Sequence, residues 1–151
     1  MKKEIKVIIF DLDDTLYKEN DFVKSGFKSV SEYVNDNFGI SNKKFYGLLV
    51  KTLKEKGRGK IFDIALKKYN IFNKELVQKL INVYRGHKPE IKVFNGVIPL
   101  LSRFGKKYKI ALITDGLLSV QKGKVKALGI EKFIDVVVYT NEFQKPKPHL
   151  Q

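Results

Sequence analysis

The sequence predicts an α/β protein in which a parallel sheet is interrupted, after its first strand, by an all-helical insertion. Three observations point to this. Apolar-rich runs occur at Ile8 to Phe10, Lys109 to Thr114 and Ile134 to Tyr139, as expected of strands covered on both faces. The second and third runs are separated by one helix-length segment, and strand-helix-strand units of this length imply parallel pairing through a right-handed crossover. Between the first and second runs, residues 17–92 place their apolar side chains at helical spacings and contain no strand-like stretch.

In chain order, Glu4 to Phe10 reads as the first strand. Phe22, Phe27, Val30, Tyr33, Val34 and Phe38 then recur three to five apart, and Gly39 follows as a C-terminal stop. Ser41 or Asn42 is placed to cap a second helix with Phe45, Leu48, Leu49 and Leu53 on its buried face, broken at Gly57-Arg58-Gly59. Two further helices are expected at Ile61 to Lys68 and Lys74 to Arg85, the latter with Leu76, Leu80, Ile81 and Tyr84 on one stripe. Pro89 closes the block. Gly96 to Phe104 reads as a helix with Pro99 in its first turn, where a missing N–H costs little. Leu117 to Leu128 reads as the crossover helix, stopped by Gly129. The domain reading is 1–16 as the first strand and catalytic loop, 17–92 as the helical insertion and 93–151 as the continuation of the core.

The chemistry is concentrated where strands end. Asp11 and Asp13 follow the first strand, two apart, with Thr15 behind them. Crowded carboxylates repel unless a cation or a shared proton relieves them. Magnesium is the simplest relief, since it takes one or two carboxylates, waters and a substrate phosphate oxygen. Such a pair suits phosphoryl chemistry, one carboxylate attacking phosphorus while its neighbour moves protons. Thr114-Asp115-Gly116 ends the second strand, and a hydroxyl beside a glycine-freed N–H can hold a phosphate oxygen. Lys145-Pro146-Lys147-Pro148 follows the third strand and can bring a positive charge to a phosphoryl group. Taken singly, these are an acidic turn, an Asp-Gly turn and an exposed basic loop. Together they line up at the carboxyl ends of successive strands, where open parallel sheets bind ligands.

Composition narrows the alternatives. The formal net charge of +14 arises from 27 lysines and only 3 arginines, with the lysines scattered along the chain. Direct base readout and bidentate phosphate clamping favour arginine, so no specific nucleic-acid partner is expected. The positive field instead steers a small phosphorylated substrate. The absence of cysteine excludes disulfides and thiolate chemistry. No signal peptide or membrane span is expected, and the compartment expected is the cytoplasm.

The motif Asp11-Leu12-Asp13-Asp14-Thr15-Leu16, with Thr114-Asp115-Gly116 and Lys145-Pro146, resembles the three signatures of the haloacid dehalogenase-like hydrolase superfamily. The resemblance covers essentially the whole chain. It implies a Rossmann-like core with a helical cap inserted after the first motif, and it implies a magnesium-dependent phosphatase. By the same resemblance Asp11 forms an aspartyl-phosphate and ligates magnesium, while Asp13 is general acid and base and offers its backbone carbonyl to the metal. Thr114, with Asp115 and Gly116, holds the phosphate, Lys145 stabilises it, and Thr15 braces the first motif. Dehalogenase members lack a carboxylate at the position of Asp13, so the resemblance is to the phosphatase branch.

The family's fourth motif, an acidic Gly-Asp segment after a fourth strand, has no counterpart before Gln151. The expectation is therefore of a shortened chain with a weakened magnesium site. Its first strand would be an exposed sheet edge, open to self-association. The alternative to an active phosphatase is an impaired fragment serving as a binding or interaction module. Arg58, Arg85 and His87 are lesser candidates in the cap, and Arg85 is explained as a cation in a helix's last turn.

Overall fold

The computed structural model describes residues 4–143 and Lys147. They form two compact units, one of the described residues up to 22 together with those from 88 onward, and one of residues 23–87.

The first unit is built on a three-stranded parallel sheet, in the order β1 (Val7–Phe10), β2 (Lys109–Thr114), β3 (Val136–Tyr139). Ile8 pairs with Ile110 and Phe10 with Leu112, while Leu112 pairs with Val137 and Thr114 with Tyr139. In-register parallel pairing brings Phe10, Thr114 and Tyr139 to one end of the sheet, which places the segments that follow them side by side. Asp135 pins the start of β3: its carboxylate accepts from the Ile110 N–H at 2.8 Å and from Lys109 Nζ at 2.9 Å, and its own N–H donates to the Ile110 carbonyl. The N–H of Ile110, then Lys109, holds this carboxyl below its ordinary pKa.

Two of the strands are shorter than the apolar pattern indicated. β1 starts at Val7 rather than Glu4, and β3 at Val136 rather than Ile134. Its neighbour fixes the second limit, since β3 pairs with β2 only from Val136 onward, opposite Ala111. Ile110, Leu112 and Thr114 are buried on one face of β2. Ile5, Val7 and Ile9, on or beside edge strand β1, are 67%, 49% and 59% exposed.

Helix α5 (Val97–Gly105) and helix α6 (Leu118–Leu128) belong to this unit, α6 ending at Gly129 with φ 64°. Tyr17, Phe22 and Val93 belong here too. Tyr17 is fully buried and bridges to Val93, and the Phe94 N–H donates to the Leu16 carbonyl at 2.9 Å. These contacts tie residues 16–17 to residues 93–94 within this unit.

The second unit consists of helix α1 (Glu19–Phe38) from Val23 onward, α2 (Asn42–Lys56), α3 (Ile61–Lys68) and α4 (Lys74–Gly86). Its core is Val23, Phe27, Val30, Val34, Phe45, Leu49, Ala65, Leu66, Leu76 and Leu80. Phe27, Phe62 and Tyr84 form a ring cluster with centroids 6.0 to 6.3 Å apart, within the range of favourable edge-to-face packing. Asn73 caps α4 by accepting from the Leu76 N–H at 2.6 Å. Ser41 stands at the N-cap of α2 but makes no side-chain capping bond. None of the helices with described residues is long and apolar enough to cross a membrane.

Candidate active site

The site is built where β1 and β2 end. After Phe10 the chain leaves the sheet and turns, with the N–H groups of Thr15 and Leu16 donating to the Leu12 carbonyl. Leu12 is fully buried and anchors this turn, leaving Asp11 and Asp13 on either side of it. Asp14 adopts φ 54°, and its carboxylate accepts from the Glu19 N–H at the start of α1.

Asp11 is the more exposed carboxylate, its side chain 41% accessible. Thr15 Oγ1 donates to Asp11 Oδ2 at 3.3 Å, and Lys147 Nζ forms an ion pair with Asp11 Oδ1 while also donating to the Ile113 carbonyl at 3.2 Å. Asp13 is held more tightly. Lys124 Nζ lies 2.7 Å from its Oδ1, Tyr17 donates its hydroxyl to the same oxygen at 2.5 Å, and Gln121 Nε2 donates to Oδ2 at 2.9 Å. Burial pushes the Asp13 carboxyl up, but these hydrogen bonds and the Lys124 charge outweigh it and leave the group below its ordinary range. Burial and the Asp13 carboxylate together push the Tyr17 phenol far up. The crowding of two carboxylates is thus relieved by a separate lysine on each.

Thr114 is buried, and its hydroxyl lies 2.8 Å from Gln121 Nε2. Asp115 turns toward the end of β3, where its Oδ1 accepts from Thr140 Oγ1 and, at 3.3 Å, from the Lys147 N–H. Gly116 adopts φ 121°, and a Cβ there would come within 3.3 Å of Gln121 Nε2. A side chain at this position would be strained and would press on the buried amide. Lys145 lies outside the described residues. Asp11, Asp13, Thr15, Thr114, Asp115 and Gly116 all lie in the segments that end β1 and β2. Tyr17, Gln121, Lys124, Thr140 and Lys147 join them.

Among the described residues no three His, Cys, Asp or Glu side chains converge on one point. The accessible Asp11 carboxylate suits magnesium, a cation that keeps several waters and binds through one or two carboxylates and a substrate phosphate. In the second unit, Arg58, Lys60 and Arg85 line a cavity of about 400 Å³ together with Phe27, Phe62 and Tyr84.

Strand-end carboxylates beside a buried threonine, on a parallel sheet, place the site where open α/β folds bind their ligands. The pattern that defines the haloacid dehalogenase-like hydrolases matches residues 8–151, and the chain belongs to that family. Among relatives, a glyceraldehyde 3-phosphate phosphatase of Methanocaldococcus jannaschii is 33% identical over 97% of this chain and 67% of its own length. One of the same name from Methanothermobacter thermautotrophicus is 27% identical over 97% of this chain and 68% of its own. The chain thus spans about two thirds of the length of these relatives. A HAD-hydrolase of Bacillus subtilis, solved bound to magnesium, shares the fold with a TM-score of 0.61 at 16% identity, covering 97% of this chain and 68% of that one. A hydrolase of Streptococcus pneumoniae does so with a TM-score of 0.55 at 17% identity, over 97% and 73%.

Proposed function

We propose that this hydrolase cleaves the phosphoric monoester of a small metabolite through an aspartyl-phosphate on Asp11, with a three-carbon aldehyde phosphate of the glyceraldehyde 3-phosphate type as substrate. The observation that carries the reading is the pairing of an accessible carboxylate, Asp11, with a gripped one, Asp13, at the end of the strand beside Thr114. The accessible group is open to an approaching phosphorus, and the gripped one is fixed to move a proton. The relatives' names support the substrate class.

In the first half-reaction an Asp11 oxygen bonds to phosphorus as the ester P–O bond breaks, and the leaving oxygen takes its proton from Asp13. In the second, a water gives a proton to Asp13 and attacks phosphorus, releasing Asp11 and inorganic phosphate. Thr114 and the Gly116 N–H are assigned to the phosphate oxygens, Thr15 to bracing Asp11, and Lys145 or Lys147 to the developing charge. Magnesium, when bound at Asp11 and the Asp13 carbonyl, would supply charge neutralisation.

The test is release of inorganic phosphate from glyceraldehyde 3-phosphate, with and without magnesium. Asp11→Asn is expected to abolish release with the fold intact, and wild-type turnover in that variant would refute the reading.

A second reading rests on Ile5, Val7 and Ile9, exposed on or beside an edge strand. Such an edge is suited to pairing with a second copy of the chain. Sedimentation over a hundredfold concentration range checks this, since a constant monomer mass would exclude it.

A further inference from the structure

Gln121, Lys124, Val125 and Leu128 form the buried stripe of α6. A stripe that served packing alone would be apolar throughout. Here two of its four members are polar, only 2% and 4% exposed, and both turn their polar atoms to Asp13. Lys124 holds Oδ1 at 2.7 Å and Gln121 holds Oδ2 at 2.9 Å, so one helix grips both oxygens and prevents the carboxylate from rotating. The Lys124 ammonium lies 4.6 Å from the Phe22 ring centroid and 6.0 Å from that of Tyr17, so aromatic faces and the carboxylate together replace its water.

The same Gln121 nitrogen reaches Thr114 Oγ1 at 2.8 Å and also contacts the Asp115 carbonyl. One amide therefore joins the end of β1 to the end of β2. Its own Oε1 is buried and has no hydrogen-bond partner among the described residues.

We propose that Gln121 and Lys124 are positioning residues for the phosphoryl reaction, holding the Asp13 carboxyl group in fixed register with the Thr114 hydroxyl so that the proton it takes from water in one turnover meets the leaving oxygen in the next. The inference rests on the phosphatase reading above. The two groups act through Asp13, whose oxygens they hold, and not on phosphorus or the ester oxygen. Their contribution is geometric, and a displacement of about 1 Å at a proton-transfer group can cost on the order of a hundredfold in rate.

The experiment compares two substrates in the full chain. Glyceraldehyde 3-phosphate expels a basic alkoxide that needs a proton, whereas p-nitrophenyl phosphate expels a weakly basic phenolate that does not. The ratio kcat/KM reports the steps through phosphoenzyme formation, so only the first substrate senses a misplaced acid in that step. In Lys124→Met and Gln121→Leu, kcat/KM is expected to fall about a hundredfold for the alkyl ester and less than about fivefold for the aryl ester, with Lys124→Arg restoring part of the loss. General structural damage lowers both alike. Equal losses on the two substrates, or unchanged constants, in variants with native circular dichroism would overturn the proposal. Should Lys124→Met not fold, Lys124→Arg and Gln121→Leu carry the same comparison. Asp11→Asn run alongside separates the two failures. Turnover in that variant refutes the phosphatase reading, whereas a dead Asp11→Asn beside an unselective Lys124→Met refutes the positioning role alone.

Discussion

Removing the Lys124 charge should loosen the strand ends of the α/β unit by an amount the structure bounds. The ammonium is 6% exposed and the Asp13 carboxylate 24%, at 2.7 Å. Breaking a fully buried pair by deleting one partner costs about 3–5 kcal/mol, because the remaining charge is left uncompensated. Asp13 keeps its Tyr17 and Gln121 donors and some contact with water, and methionine refills the space of the lysine stem, so Lys124→Met should cost about 2–3 kcal/mol at pH 7. Two units that can open separately make a single global midpoint a poor readout. Amide exchange of Ile110 and Leu112 is the better assay, and it should accelerate about 30- to 150-fold. The pH dependence has a definite sign. The folded-state pKa of Asp13 lies below its ordinary value of 3.8, so the pair's contribution is fully present above about pH 4 and fades as pH falls through the folded value. The gap between wild type and variant should therefore narrow in acid. A cost below about 1 kcal/mol, or a coupling with Asp13→Asn below about 0.5 kcal/mol in a double-mutant cycle, would refute the argument that this pair is desolvated.

Other expectations follow from single contacts. Gly26→Ala adds a methyl 2.5 Å from two atoms of the Tyr84 ring. Its helix-propensity gain of about 1 kcal/mol is outweighed by overpacking of about 1–3 kcal/mol, giving a net loss of about 1 kcal/mol in thermal unfolding of the helical unit. Asn73→Ala removes the cap on α4 and should cost about 1 kcal/mol in the same assay, with Asn73→Ser nearly neutral. Spectrophotometric titration of the 7 tyrosines should leave Tyr17 un-ionised after most others have titrated, and Tyr17→Phe should remove that lagging component.

Much of the fold is legible locally. Lys109–Thr114 and Ile61–Lys68 form as their apolar spacing indicates, and Gly39 and Gly129 stop their helices in the left-handed region. Strand ends were less legible. Asp135 belongs to the run that begins at Ile134, yet its carboxylate accepts from a backbone N–H of the neighbouring strand, an interaction that no single strand's pattern reveals. At the site, Asp11, Asp13 and Thr114 stood out because their motifs fall in order at the carboxyl ends of successive strands, which isolated turns do not. Gln121 and Lys124 did not, although a signal was present: polar residues at 121 and 124 share the helical stripe of Val125 and Leu128. Reading it required knowing that this stripe faces inward.

The sequence by itself determined the order of strands and helices, the place of the helical insertion and the carboxylate pair at the first strand end, because these depend on periodicity and on neighbours a few residues apart. The tertiary structure alone decided what neutralises that pair. Lys124 and Gln121 reach Asp13 across 111 and 108 residues of chain, and Lys147 reaches Asp11 across 136. Such partners are selected when parallel strands align their ends and a crossover helix packs its buried stripe against them, and neither event leaves a mark at the spacing of nearby residues.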